Sequence, residues 1–186
     1  MAIEAFGAIL AGFLAGSLAL MAFGGDSIVE LLSSLTVLHH LRLEDKGEDT
    51  EGGNKRAEQA TIILLFLLIP IIGLGTLYGF ATGLEAESSP LGILIALGAV
   101  VIMPVLWFEK RRIGRQANCL PLVVDSAESA TCLSMSAALL VGLVAHLLWR
   151  AWWIDYVTTI IILTFLTWEA SESVKHLQTK YQKRLF

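Results

Sequence analysis

Residues 120–149 read LPLVVDSAESATCLSMSAALLVGLVAHLLW, an apolar stretch of 30 residues that contains two carboxylates and no lysine. Because an α-helix rises about 1.5 Å per residue, roughly 20 apolar residues cross the hydrocarbon core of a bilayer. The other apolar stretches are residues 1–23, 27–41, 60–84, 89–108 and 151–168. Their length and lack of strict alternation predict helices rather than barrel strands. The fold class is therefore an all-α integral membrane protein with six transmembrane helices.

The composition of the chain agrees with this class. Its 186 residues are 55% hydrophobic and 16% charged, with a mean hydropathy of +0.70, whereas soluble domains carry about 25% charged residues. Six spans use up the chain, so we expect one transmembrane domain and no soluble domain. The net charge of −4 provides no basic face for nucleic acid. The two cysteines, Cys119 and Cys132, are too few for a disulfide framework or a zinc finger.

We expect this domain, residues 1–186, to hold helices at about residues 1–15, 18–42, 59–84, 89–108, 120–149 and 152–175. The first two helices leave an alternative open. If residues 1–23 form one span, Asp26 falls in a loop. If the chain turns at Gly16 and Ser17, Asp26 lies inside the second helix. The first helix then has only ~15 residues, which is short for a hydrocarbon core of ~30 Å.

The basic residues indicate the orientation. Twelve of the thirteen Lys and Arg residues follow the second helix, the fourth helix or the sixth helix. The loop after the fourth helix is expected to hold Lys110, Arg111, Arg112 and Arg115. The opposite loops carry Arg150, Glu85 and Glu87. The positive-inside rule predicts a multi-pass protein of the cell membrane, with the loops after helices two and four and the C-terminus in the cytoplasm.

Two groups of ionisable side chains lie inside apolar stretches, where a charge costs about 2.5–3.5 kcal/mol at the helix centre. Asp26 and Glu30 are four residues apart, so they share one face of the second helix. Asp125, Glu128 and Cys132 follow at spacings of three and four on the fifth helix. Repulsion between such carboxylates is relieved by protons, a cation or water. Carboxylates and a thiolate bind divalent metals, so these five residues form the predicted metal site.

Several of these residues have alternative roles that involve no metal. Asp26 is placed to cap a helix that starts after two glycines. Asp125 is placed to lie at the membrane interface, and Cys132 to be a small buried side chain. His39 and His40 adjoin an acidic loop, where an interfacial pair is favoured over metal capture.

The same carboxylates are compatible with two other functions. One is a channel or carrier for a monovalent cation, and the other is a non-transporting membrane subunit whose acids pair with basic residues of a partner. We do not expect an enzyme, because the sequence has neither a nucleophile–base pair nor an HExxH motif.

These residues stand in motifs that resemble the cation diffusion facilitator family of divalent-metal transporters. Residues 16–20, GSLAL, and 23–30, FGGDSIVE, resemble that family's second helix, in which a glycine-serine turn precedes DSxxE or DSxxD. Residues 125–133, DSAESATCL, and 152–155, WWID, resemble its fifth helix and the WWxDP opening of its sixth. The resemblance favours the turn at residues 16 and 17. It also implies a short form that lacks the family's cytoplasmic metal-binding domain.

The resemblance implies that a homodimer in the lipid bilayer exports Zn²⁺ or a similar divalent ion from the cytoplasm, usually against protons. Asp26 and Glu30 match the family's ligand pair in helix two. Glu128 and Cys132 stand where helix five usually has His or Asp, then Asp. Zn²⁺ is the first expectation, with Mn²⁺, Fe²⁺ and Cd²⁺ as alternatives, because carboxylates suit harder ions and thiolates softer ones. Asp155 matches the opening of helix six, where we expect it to cap that helix.

Overall fold

The computed structural model is a bundle of α-helices and describes residues 1–45, 51–117 and 120–182. The helices are α1 (Ala2–Ala15), α2 (Leu18–Asp45), α3 (Glu51–Thr82), α4 (Pro90–Gln116), α5 (Leu120–Trp149) and α6 (Trp153–Gln182). The all-α membrane class is thereby confirmed. Cys119 lies outside the described residues, and so does the side chain of His40.

Among the described residues, five helices are long and apolar enough to cross a membrane. Their candidate spans are Leu18–His39, Ile62–Thr82, Pro90–Gln116, Asp125–Trp149 and Trp153–Lys175. Helix α1 is apolar, but its 14 residues extend for only about 21 Å, less than the thickness of the hydrocarbon core. The bundle therefore has the expected number of helices, while α1 falls short of the length of a full span.

Several helices are longer than the apolar stretches that predicted them. Helix α3 begins at Glu51 instead of residue 59, α4 ends at Gln116 instead of 108, and α6 ends at Gln182 instead of 175. Backbone hydrogen bonds continue a helix into water whether or not its side chains are apolar. Hydropathy therefore locates the membrane-embedded part of a helix and not its ends.

A turn at Gly16 and Ser17 separates α1 from α2. Gly16 has φ 64°, a left-handed conformation that glycine adopts without steric cost. The Ser17 amide donates a hydrogen bond to the Gly12 carbonyl at 2.9 Å. The chain therefore reverses before residue 18, as the resemblance favours. Asp26 lies inside α2 and is 2% exposed, so its reading as a helix cap is wrong.

Small residues bring α1 and α2 into close contact. The buried face of α1 consists of Ala5, Ala8, Ala11, Gly12 and Ala15. A Cβ atom added to Gly24 of α2 would come within 2.8 Å of the backbone nitrogen of Ile9. The close approach holds the first turn of α1 against the centre of the bundle, and Glu4 lies in this turn.

The carboxylate of Asp155 links α6 to the beginning of α2. Asp155 Oδ1 accepts a hydrogen bond of 2.5 Å from Ser17 Oγ, and Oδ2 accepts one of 3.1 Å from the Leu18 amide. Ser17 Oγ in turn accepts one of 3.2 Å from the Leu20 amide. These amides belong to the first turn of a helix, where backbone donors have no partner within the helix. The expectation that Asp155 caps its own helix is therefore wrong, because the first turn of α6 packs beside that of α2.

Helix α2 is the centre of the bundle and packs against α1, α3, α5 and α6, while α4 packs against α5 and α1. Large apolar side chains on the outer surfaces are exposed, among them Leu77, Leu94, Val141 and Leu148. In a bilayer such side chains meet lipid tails, which solvate them well. The polar faces of α2 and α5 therefore lie towards the interior.

We predict that the Asp155→Ala substitution lowers the free energy of unfolding by about 1–2 kcal/mol, because it removes a helix cap and leaves a buried hydroxyl without its acceptor. The measurement is thermal unfolding of the purified protein in detergent. Glu109→Ala is the matched control, since this carboxylate is 55% exposed and pairs only loosely with Arg112 at 3.9 Å. Equal melting temperatures for the two variants would contradict the capping role.

Candidate metal centre

The acidic faces of α2 and α5 meet inside the bundle. Asp26 and Glu30 of α2 are buried, and so are Asp125, Ser129 and Cys132 of α5. Ser129 Oγ donates a hydrogen bond of 2.7 Å to Glu30 Oε1, which joins the two helices directly. The side-chain spacings in the sequence predicted these faces, and the structure brings them together.

Lys110 lies inside α4, which corrects its expected place in a loop. Its ammonium is 2.9 Å from Asp125 Oδ2 and 3.8 Å from Glu30 Oε1. It also donates hydrogen bonds to Ser129 Oγ at 2.8 Å and to Ser34 Oγ at 3.1 Å. Helix α4 continues to Gln116, so Lys110 is still helical, and its aliphatic stem reaches into the bundle.

Cys132 lies next to a carboxylate that was not among the predicted ligands. Its thiol donates a hydrogen bond of 3.9 Å to Glu4 Oε1 in the first turn of α1, and it also lies beside Glu30. The other oxygen of Glu4 is 3.6 Å from the amino group of Met1. The signal for Glu4 was present in the sequence, because it is an acidic residue within an apolar stretch.

Glu128 is half-buried and lies beside Ser33 of α2. A second carboxylate that the sequence analysis missed, Glu169 of α6, lies within electrostatic reach of Glu128, Asp26 and Glu30. Glu169 comes directly after the last apolar stretch, so hydropathy alone places it outside the membrane. In the structure it extends the acidic region from α2 and α5 to α6.

Four carboxylate oxygens in this region are buried and have no hydrogen-bond partner among the described residues. They are Asp26 Oδ1, Glu30 Oε2, Glu128 Oε2 and Glu169 Oε2. A buried acceptor without a partner carries the full cost of its lost hydration. A proton or a cation offsets that cost, so these atoms are candidate points of attachment for either.

The carboxylates do not form a closed metal site as they stand. In the described part of the chain, no three side chains of the types His, Cys, Asp and Glu lie close enough together to hold one metal ion. Glu30 and Asp125 instead lie around the ammonium of Lys110. The structure thus brings the predicted residues into one region, but their ligand atoms do not surround one common metal position.

The histidines lie away from this region or at its edge. His39 is exposed at the end of the α2 span. His146 is buried near the other end of the bundle, in a small cleft also lined by Glu87, Asp155 and Thr158, and its Nδ1 has no partner among the described residues.

Comparison with known proteins agrees with this arrangement. A family model described as "Cation efflux transmembrane domain" matches residues 2–176. The chain belongs to the cation efflux family. This confirms the resemblance noted in the sequence and assigns the helical bundle to that family's transmembrane domain.

Two curated relatives come from Bacillus subtilis (strain 168). The chain is 26% identical over 160 residues to the manganese efflux system protein MneS, an alignment that covers 83% of this chain and 55% of the relative. It is 24% identical over 180 residues to the uncharacterized transporter YdbO, covering 92% of this chain and 62% of the relative. The chain thus spans less than two thirds of the length of each relative.

Proposed function

We propose that this cation efflux protein transports a divalent transition-metal cation, of the class that includes Zn²⁺ and Mn²⁺, out of the cytoplasm. The proposed ligands are Asp26, Glu30, Glu128 and Cys132, with Asp125 as an outer ligand or proton acceptor. The observation that carries the proposal is the set of buried carboxylate oxygens without partners where α2 faces α5 and α6.

Electrostatics favours a cation as the substrate of this region. A divalent ion that leaves water loses a hydration shell whose stabilisation apolar side chains cannot replace. Carboxylate oxygens replace it with ligands and with opposite charge. Carboxylates are themselves costly inside a membrane, and they are found where an ion or proton passes.

Proton exchange follows from the same groups. Metal ligation requires deprotonated carboxylates and a thiolate, so binding releases protons. When the metal leaves, a proton taken up in this region relieves the repulsion between the carboxylates that it leaves behind. Rocking of helices around this region would open it alternately to the two sides of the membrane. The same proposal includes a homodimer. It also places the loops after α2 and α4 and the C-terminus in the cytoplasm.

The donor set contains both hard and soft ligands. Carboxylates favour Mn²⁺ and Fe²⁺, and the relative MneS is named as a manganese efflux system protein. The thiol of Cys132 favours Zn²⁺ and Cd²⁺. The choice between the metals therefore depends on whether Cys132 is a ligand.

We predict that Glu30→Gln and Glu128→Gln each reduce metal-driven proton flux in reconstituted vesicles by tenfold or more, of the order found when a ligand is lost. Glutamine keeps the size of the side chain and removes its charge. Glu85→Gln is the matched control, because Glu85 is exposed in the loop between α3 and α4, and its flux should equal that of the wild type.

Size-exclusion elution and melting curves of each variant verify folding in this experiment. Wild-type flux in both Gln variants would contradict the assigned site. A wild-type protein that moves Na⁺ or K⁺ but no divalent ion would contradict metal transport and favour the monovalent-cation carrier.

We predict that Cys132→Ser weakens Zn²⁺ and Cd²⁺ binding by about tenfold or more and changes Mn²⁺ binding by less than about threefold, because only the softer ions gain strongly from sulfur. Calorimetric titration in detergent measures the three affinities. Cys119→Ser is the matched control and should leave all three unchanged. Equal effects of Cys132→Ser on the three metals would contradict ligation by the thiol.

A further inference from the structure

The Lys110 ammonium lies where three helices meet. Its contacts come from Ser34 and Glu30 on α2 and from Asp125 and Ser129 on α5, while Lys110 itself belongs to α4. The side chain is only 13% exposed. An ammonium in this position carries positive charge into the same region that the proposed function assigns to a metal.

Every N–H donor of this ammonium has an oxygen partner. It has three N–H donors, and three oxygens lie within 3.1 Å of it: Asp125 Oδ2, Ser129 Oγ and Ser34 Oγ. Ser129 passes its own hydrogen to Glu30 Oε1, and Ser34 passes its own to Asp125 Oδ1 at 3.1 Å. One cation therefore organises two carboxylates and two hydroxyls into a closed network of hydrogen bonds.

The network occupies one side of Glu30 and leaves the other side free. Glu30 Oε1 accepts from Ser129 and faces Lys110, whereas Oε2 has no partner among the described residues. Glu30 thus has Oε1 in this network, and it also lies near Asp26, Cys132 and Glu169. A metal bound by Glu30 and Asp125 together would have to occupy the space that the Lys110 ammonium now fills. Its positive charge would replace that of the ammonium.

We propose that Lys110 is a tethered competitor of the transported cation. Its ammonium offsets one of the two negative charges of Glu30 and Asp125 while no metal is bound, and a divalent ion that binds these carboxylates displaces it. Because Lys110 belongs to α4 and the acids to α2 and α5, displacement breaks these polar contacts of α4 with both helices, while the packing of α4 against α5 remains. Lys110 is therefore a positioning residue that sets metal affinity and couples binding to helix movement. This inference rests on the proposed transport of a divalent cation.

The competition is tested by titrating Mn²⁺ and Zn²⁺ into Lys110→Gln, Lys110→Arg and wild-type protein in detergent. Removing the tethered charge should tighten metal binding at least about threefold, because the incoming ion no longer displaces a cation from the carboxylates. Lys110→Arg keeps the charge and should stay near the wild-type affinity. Arg112→Gln is the matched control, because this basic residue of α4 is 69% exposed and pairs with Glu109; it should also stay near the wild type.

The main result of a second measurement comes from the wild-type chain, so it does not depend on the folding of a variant. Amine-directed labelling followed by mass spectrometry should show Lys110 becoming more reactive when metal is added. No metal-dependent rise should occur in Glu30→Gln. A purely structural ion pair predicts constant Lys110 labelling, and that result would overturn the inference.

The outcomes separate the inference from the proposed function. If the wild type binds a divalent ion and Lys110→Gln binds it equally or more weakly, the competitor role is wrong and the transport proposal stands. If the wild type binds no divalent ion, the proposed function fails and the inference fails with it.

Discussion

Every charge buried in this bundle has to be balanced within the bundle, because lipid tails around it offer neither hydrogen bonds nor counter-ions. Asp26, Glu30 and Asp125 are all buried. Around Glu30 and Asp125 the balance is partial: one ammonium offsets one of the two negative charges, and two hydroxyls donate hydrogen bonds to the carboxylates. Near Asp26, an oxygen of the carboxylate has no partner among the described residues.

This difference divides the acidic region into two parts. One part, at the α4 side, is held together by Lys110, whose three N–H donors all have oxygen partners. The other part contains Asp26, Cys132 and Glu169 and has unpaired acceptor oxygens, so it attracts protons or cations. Glu30 lies next to both parts: Oε1 accepts from Ser129, Oε2 has no partner among the described residues, and Asp26 and Cys132 are nearby.

Helical periodicity predicted much of the fold and part of the site. The spacing of Asp26 and Glu30, and that of Asp125, Glu128 and Cys132, defined one face on each helix, and these faces meet in the structure. A period reports where a side chain lies on its own helix and does not report which neighbour it meets. The resemblance to the opening of helix six likewise placed Asp155 at the start of its own helix, whereas in the structure it caps α2.

Hydropathy failed for residues at the edges of apolar stretches. Lys110 counted as a loop residue because it is basic, and Glu169 fell just beyond the last apolar run. Lys110 lies inside α4, since backbone hydrogen bonding continues past the apolar part of a chain. Glu169 lies in the expected sixth helix, within the candidate span Trp153–Lys175. The length of a lysine stem also lets its charge act several ångströms from its own backbone. Only the three-dimensional packing reveals such contacts.

The link between Asp155 and the first turn of α2 has a mechanical consequence. It fixes one end of α2 to α6, so a tilt of α2 would have its pivot near Leu18. Ser34 lies 16 residues along the same helix, which corresponds to an arm of about 24 Å. A tilt of roughly 10° about that pivot carries Ser34 sideways by about 4 Å. A sideways shift of that size takes Ser34 out of hydrogen-bonding distance of Lys110, now 3.1 Å, so a small tilt about the fixed end is enough to break this contact at the far end.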